Sequence, residues 1–391
     1  MDEYFFPGMA YETMPLLRME LGKGKERPPV LRLVTGGEHR EAEIPEPEKV
    51  LLRTLSPAGD AEKIRTEILM MNAREGAKDY GLISIGGKAL LVWAPTVEGT
   101  EALLQGKPLP DEGPAPAGPL AGRIALITGA AQGFGKGLAE HLAADGACVM
   151  IADINERTGQ AAVEELKEKT GNHAITFVRA DVSDSASVDL MVRQTVFAFG
   201  GLDLFVSNAG VLKAGGLDVL EEKAFDFVTH VNYKGFYLGV KYASRVMKKQ
   251  HEAAPGRFMD IIQINSKSGL QGSKRNFAYA GSKFGSIGLV QSFALELVQD
   301  NIKVNAVCPG NFFDGPLWSD PKTGLFRQYL EAGKVEGAKT IEDVRRHYES
   351  LVPMGRGTTV LDVYRAVRYL IEQEYETGQA LPVTGGQVML R

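Results

Sequence analysis

Thr128-Gly129-Ala130-Ala131-Gln132-Gly133-Phe134-Gly135 follows the apolar run Ile124 to Thr128 and leads into a segment of helical periodicity that extends to Asp145. The three pieces specify a strand, a tight glycine turn and a helix. Glycine lets the backbone turn sharply and come close to a ligand, and a helix opening there presents free N–H groups at its positive dipole end. Such a turn cradles a phosphate, so Gly129, Gln132, Gly133, Phe134 and Gly135 are candidate contacts to a pyrophosphate. The turn alone is weak evidence. A second apolar run, Cys148 to Asp153, ends in a carboxylate, and strand, turn, helix and acid in this order are the setting that dinucleotide binding requires. Asp153 is expected to accept hydrogen bonds from an adenosine ribose; the competing reading is a residue of a helix N-terminal turn. A carboxylate there repels the extra phosphate of NADP, and neither Gln132 nor Asn155 offers a compensating cation. NAD is therefore the expected cofactor.

Outward from this turn, further apolar runs are predicted as strands at Ile175 to Arg179, Leu202 to Ser207, Ile261 to Asn265, Val304 to Cys308 and Leu381 to Thr384. Longer amphipathic stretches separate them. Short buried strands alternating with helices indicate a doubly wound α/β fold, because parallel strands need crossover helices. Upstream, residues 105–122 are too rich in proline and glycine for a helix or central strand and read as a linker. Residues 123–391 then form the nucleotide-binding domain. Residues 1–104 form a small N-terminal α+β module of unassigned role, with a helix over Ala61 to Glu75 and a hairpin over Gly81 to Ala94 turning at Gly86-Gly87. Gly86-Gly87-Lys88 is a hairpin turn rather than a phosphate loop.

With 391 residues, 44% of them hydrophobic, the chain is long enough for a large and a small unit, each with its own core. A formal net charge of -5 gives no general attraction to nucleic acid or acidic lipid. Cys148 and Cys308 both fall in apolar runs, which suits buried hydrophobes in a reducing compartment. A cytoplasmic protein is expected, without a leader or a membrane span. No cysteine or histidine pair has metal spacing, so no metal is expected.

The chemistry is carried by Ser266, Tyr279 and Lys283. Tyr279 and Lys283 are four residues apart and share a helix face, so an ammonium can sit beside the phenol. A free tyrosine titrates near ~10, and a nearby cation would make it a usable base at neutral pH. Ser266 would hold the reacting oxygen. A core tyrosine with a solvated lysine is the bland alternative.

From about Leu120 to Arg391 these motifs, in this order and spacing, resemble the short-chain dehydrogenase/reductase family. The resemblance implies a Rossmann-type sheet and an NAD-dependent enzyme acting on a CH–OH group as a homodimer or homotetramer. It places Asp181 and Val182 against the adenine, Asn208-Ala209-Gly210 on the cofactor floor, and Asn232 in a catalytic tetrad with Ser266, Tyr279 and Lys283. Pro309 and Gly310 would border the nicotinamide, and Tyr279 and Lys283 its ribose; Asn232 would hold a water linking Lys283 to solvent. One departure is Asp314, which stands where many members carry a threonine that helps hold the nicotinamide carboxamide. Main-chain groups of Asn311 to Phe313 are the expected substitutes.

Within the family, Ile261-Ile262-Gln263-Ile264-Asn265-Ser266-Lys267-Ser268-Gly269, Gly272-Ser273-Lys274, Phe284-Gly285, Gly310-Asn311 and Val383-Thr384-Gly385-Gly386-Gln387-Val388-Met389 are similar to members acting on sugar-alcohol phosphates. The implied reaction is sorbitol 6-phosphate to fructose 6-phosphate. Lys267, Lys274, Arg275 and Lys213 are candidate cations for the phosphate, each otherwise an ordinary solvated residue. Another polyol or ketose, or a non-catalytic NAD-binding regulatory role, are the alternatives. Residues 317–349 are long, polar and aromatic between two strands, as expected of a substrate lid or an oligomer contact. An N-terminal zinc aldolase domain is disfavoured, because His39 is the only histidine before His141.

Overall fold

Ile124 to Thr128 is buried at every residue, as are Leu204 to Ser207, Met259 to Ile264 and Ile302 to Pro309. Strands without a polar face need cover on both sides, which crossover helices supply. The computed structural model of the chain describes residues 5–23, 25, 27–35, 50–55, 61–74, 76, 78–85, 89–105, 107, 118–322, 324–331, 333 and 335–389. The turn expected at Gly86-Gly87 and the middle of the Pro/Gly-rich linker lie outside these residues.

Before the linker come α1 (Phe5–Leu21), β1 (Val30–Thr35), β2 (Val50–Leu55), α2 (Ala61–Arg74), β3 (Tyr80–Ile85), β4 (Ala89–Ala94) and α3 (Val97–Leu104). After it, β5 (Ile124–Thr128), α4 (Gly133–Ala144), β6 (Cys148–Asp153), α5 (Glu156–Thr170), β7 (Ile175–Arg179), α6 (Ser185–Phe199) and β8 (Leu204–Ser207) alternate. The chain continues through α7 (Glu222–Thr229), α8 (Gly235–Ala253), β9 (Met259–Ile264), α9 (Phe277–Leu297) and β10 (Ile302–Pro309). It ends with α10 (Pro316–Ser319), α11 (Leu325–Glu331), α12 (Ile341–Ser350), α13 (Val360–Glu372) and β11 (Ala380–Val383).

The seven later strands form one parallel sheet in the order β11-β10-β9-β8-β5-β6-β7. The chain winds from β5 to β7 in one direction and returns at β8 in the other. The switch between β5 and β8 opens a crevice at their C-terminal ends, where the glycine turn lies. Helices α4, α5 and α13 cover one face through Leu138, Leu166 and Val367. Helices α6, α8 and α9 cover the other through Val192, Val240 and Val290. Among the described residues, no helix is long and apolar enough to cross a membrane.

The N-terminal elements build a four-stranded sheet in the order β1-β4-β3-β2, with β2 and β3 parallel and the other pairs antiparallel. Their apolar side chains do not form a separate core. Met14, Leu17, Leu31 and Trp93 belong to the same buried cluster as Val192, Val240 and Val290, because α1 packs on α8 and α6, and β1 packs on α6. The contact is bolted by Arg18, 1% exposed, whose guanidinium donates to Asp203 Oδ2 at 3.0 Å and Oδ1 at 3.3 Å. It donates also to the Gly122 and Pro29 carbonyls at 2.7 and 3.1 Å. Asp203 accepts further bonds from the Ile124 N–H and the Gln250 amide. Burial opposes its ionised form, yet Arg18, Arg257 and Arg123 hold the carboxyl well below the usual carboxylate range.

Between β10 and α13 the chain builds a small aromatic core of its own. Phe313 and Phe326 are buried, with Trp318, Tyr329 and Tyr348 packed around them.

Candidate active site

The glycine turn has the shape of a phosphate cradle. Gly129 (φ +63°) and Gly133 (φ +61°) adopt left-handed backbone that L side chains rarely tolerate. A Cβ on Gly129 would lie 2.7 Å from the Ala209 backbone, and one on Gly135 would lie 2.4 Å from the Gly129 carbonyl and 2.5 Å from Asn208 Nδ2. Bare backbone is thus required where the turn meets the floor strand, and a dinucleotide pyrophosphate fits that requirement. Asn208 ties the two loops: Nδ2 donates to the Thr128 and Gly129 carbonyls at 2.9 Å each, while Thr128 Oγ1 accepts from the Asn208 and Ala209 N–H groups. Asp153, at the end of β6, accepts from the Ala131 N–H at 3.1 Å and the Asn155 N–H at 3.0 Å. Each oxygen keeps a lone pair for a ribose hydroxyl. Asp181 accepts from the Ser183 N–H and hydroxyl, and Val182 packs against Gly235.

Asn232 and Lys283 meet beside Gly210, and Tyr279 faces both Lys283 and Ser266. Asn232 lies 3% exposed in a π-helical turn, His230–Lys234, between α7 and α8. Such turns offset the helical ladder and occur mostly at functional sites. Its Oδ1 accepts from the Val211 N–H at 2.8 Å, and its Nδ2 donates to the Val211 carbonyl and the Ser282 hydroxyl. Both side-chain donors are therefore taken by protein. This amide splices the floor loop to α9, and its Oδ1, which accepts one bond from the Val211 N–H, keeps a second lone pair for the expected water.

Ser266 lies two residues beyond β9, and its hydroxyl accepts from the Ser268 N–H at 3.1 Å. Tyr279 stands on the first turn of α9. Burial pushes its phenol above the ordinary value, and the facing Ser266 hydroxyl pulls the other way. Lys283, one turn on, is 4% exposed, and burial brings its ammonium down to about 8. Its Nζ donates to the Ile264 carbonyl at 2.9 Å and lies 5.7 Å from the Tyr279 ring centre. The shared helix face is as the spacing predicts. The ammonium is turned to the Ile264 carbonyl at the end of β9 and reaches the phenol only from beside its ring.

Several contacts escaped the sequence. Asn265 accepts from the Ser266 N–H at 2.8 Å and donates to the Lys283 carbonyl at 3.0 Å, so it clamps the serine turn to α9. Phe134 of the glycine turn stacks on Phe312 beyond β10 at 4.3 Å, joining the segments that follow β5 and β10. Asp314 forms an ion pair with Arg345 of α12 at 2.7 Å, fixing the aromatic segment rather than facing the crevice. The Asn311 and Phe312 carbonyls each already accept one N–H, from Thr358 and Gly315. Lys213, Lys274 and Arg275 are exposed, on loops joined by a bond from the Gly215 N–H to the Arg275 carbonyl. Lys267 is half-buried and donates to Gln387. A run of local periodicity carries no signal for contacts such as these.

A doubly wound parallel sheet with a glycine cradle at its switch point, and a serine, tyrosine and lysine beside it, defines a nicotinamide-dependent oxidoreductase class. The chain belongs to the short chain dehydrogenase family, whose model matches residues 123–318. It is 35% identical over 269 residues to sorbitol-6-phosphate 2-dehydrogenase of Escherichia coli strain K12, covering 68% of this chain and 99% of that protein. It is 32% identical to L-2,3-butanediol dehydrogenase of Corynebacterium glutamicum, covering 68% and 98%. Among solved structures, sorbitol-6-phosphate 2-dehydrogenase from Erwinia amylovora superposes with a TM-score of 0.62 at 35% identity, covering 68% of this chain and 100% of that one. The 3-ketoacyl-(acyl-carrier-protein) reductase from Brucella melitensis complexed with NADH gives 0.58 at 28%, covering 68% and 99%.

Proposed function

We propose that the chain is an NAD-dependent dehydrogenase of a sugar alcohol or its phosphate, and that sorbitol 6-phosphate, oxidised to fructose 6-phosphate, is its substrate. The observation that carries this reading is the convergence of Ser266, Tyr279 and Lys283 beside the glycine cradle. The relatives that act on sorbitol 6-phosphate support the choice of substrate. NAD is favoured over NADP because β6 ends in the carboxylate of Asp153, which would repel a 2′-phosphate, and neither Gln132 nor Asn155 supplies a compensating cation. When bound, NAD would supply the acceptor for the hydride that leaves the carbinol carbon. Ser266 orients the hydroxyl oxygen, and Tyr279, as phenolate, takes its proton while the carbonyl forms. Lys283 favours the phenolate at longer range and holds the nicotinamide ribose. Asn232 keeps the floor loop against α9 through Val211 and Ser282. With Asp314 paired to Arg345, main-chain groups of Asn311 to Phe313 would be left to hold the carboxamide. We also assign the chain to the cytoplasm as a homodimer or homotetramer, in keeping with the two-fold pairing common among soluble oligomers.

The test is NADH or NADPH formation with sorbitol, sorbitol 6-phosphate and other polyols and their phosphates. Turnover of sorbitol 6-phosphate with NAD is expected to dominate. Activity confined to neutral polyols, or to NADP, would defeat the corresponding part of the assignment, and no turnover with any of them would favour a binding role.

A further inference from the structure

Of the candidate phosphate-binding cations, Lys213, Lys274 and Arg275 are exposed, whereas Lys267 is half-buried directly after Ser266. Its ammonium donates to Gln387 Oε1 at 3.2 Å, and among the described residues no carboxylate pairs with it. Withdrawing an ammonium from water without an anion costs stability. A glutamate at 387 would supply that anion. Glutamine supplies only an orienting oxygen, and it leaves the charge unneutralised.

Gln387 is itself held in place. The turn that carries it is closed by Thr384, whose hydroxyl donates to the Val388 carbonyl at 3.1 Å and accepts from the Val388 N–H at 3.3 Å. A Cβ on Gly310 would lie 3.0 Å from Gln387 Oε1, so the amide reaches the loop that leaves β10. The pair therefore spans from the serine turn to the nicotinamide side of the crevice. It offers an incoming anion a cation and, from the same amide, an adjacent N–H donor. That donor set matches a phosphate monoester, which takes both charge and several hydrogen bonds.

We infer that Lys267 and Gln387 together bind the phosphate of a phosphorylated polyol, and that the exposed cations of the 213–215 and 274–275 loops do not. This rests on the dehydrogenase reading above. The uncompensated ammonium is the complement of a charge that the substrate brings, and the C-terminal turn is a wall of the substrate site.

The experiment compares kcat/KM for sorbitol 6-phosphate and for sorbitol in the wild type, Lys267→Met, Gln387→Glu and Lys274→Met. In parallel, sorbitol 6-phosphate is titrated against the fluorescence of bound NADH, which needs no turnover. The wild type is expected to prefer the phosphorylated substrate, and Lys267→Met and Gln387→Glu to cut that preference about tenfold or more through KM. Gln387→Glu replaces an amide by its isostere and tests the idea even if the lysine variant fails to fold. A strong wild-type preference that neither variant moves, or that Lys274→Met abolishes instead, overturns the pair and leaves the proposed function standing. A wild type that neither prefers nor binds the phosphorylated substrate overturns the substrate assignment and the pair with it.

Discussion

Replacing Arg18 should unfold the dehydrogenase and its N-terminal elements together. Arg18 and Asp203 are 1% and 0% exposed, so Arg18→Met strands a buried carboxylate. Breaking such a pair costs about 3–5 kcal/mol. Arg257 Nε, 3.5 Å from Asp203 Oδ1, stays behind and argues for the lower end. The Gly122 and Pro29 carbonyls also lose their donor, at about 1 kcal/mol each. A total of ~5 kcal/mol is a large part of the ~5–15 kcal/mol that holds a domain folded. Arg18→Lys keeps the charge but not the fork, and should recover about half of the loss.

The assay is urea unfolding at neutral pH in two single-tryptophan backgrounds, because the chain has only Trp93 and Trp318. Trp93 is buried in β4, and Trp318 sits in the aromatic segment after β10. Both probes should shift to lower urea by the same amount. The pH dependence has a definite sign. Asp203 has a depressed pKa, so its contribution is complete above the unfolded carboxylate value near ~4 and is lost as pH falls below it. The gap between wild type and Arg18→Met should narrow in acid. A loss under about 1 kcal/mol, or a Trp93 transition that moves while that of Trp318 does not, would refute the reasoning.

Tyr279→Phe should keep NADH affinity within about threefold and lower turnover about a thousandfold, read by fluorescence titration and steady-state kinetics; near-normal turnover removes the phenol from the chemistry. Gly135→Ala puts a methyl 2.4 Å from the Gly129 carbonyl and should weaken NADH binding about tenfold or more, so an unchanged affinity would speak against the cradle. Burial raises the Tyr279 pKa and so favours the protonated phenol. Carbonyl reduction should then be favoured at the lower pH values and alcohol oxidation should climb with pH, until Lys283 loses its charge above about 8. Profiles of kcat/KM in both directions test this, and an oxidation plateau reached below neutrality contradicts it.

What could be read from the sequence was local. The strand, turn and helix from Ile124 to Asp145 are dictated by neighbours a few residues apart, and strands β8, β9 and β10 begin only two residues from their expected starts. Tyr279 and Lys283 share a face because four residues make about one turn. Where Lys283 points was not legible, since its acceptor, the Ile264 carbonyl, lies 19 residues upstream on another element. Phe134 and Phe312 are separated by most of the domain, and only the fold stacks them. Asp314 was legible as a departure from the family and not as an ion-pair partner of Arg345.

The N-terminal helix shows why local rules fail at an interface. Pro15 stands inside α1, where proline removes a backbone bond, and that argues against a helix there. Burial of Met14, Leu17 and Leu21 in the core shared with α6 and α8 outweighs the loss. The receiving surface reads as an ordinary helix end. Gly200 (φ +92°) caps α6, yet a Cβ there would also lie 2.6 Å from Leu31, and one on Gly201 would lie 2.2 Å from Gln250 Oε1 and 3.1 Å from Arg18. Gly200-Gly201 is therefore both a helix stop and a docking notch. Asp203, which follows the notch, anchors the lower end of β8, and Asn208 at the upper end of the same short strand ties the cofactor floor to the glycine turn. The four residues of β8 span about 13 Å, so a single rigid strand joins the N-terminal elements to the floor of the proposed nucleotide site.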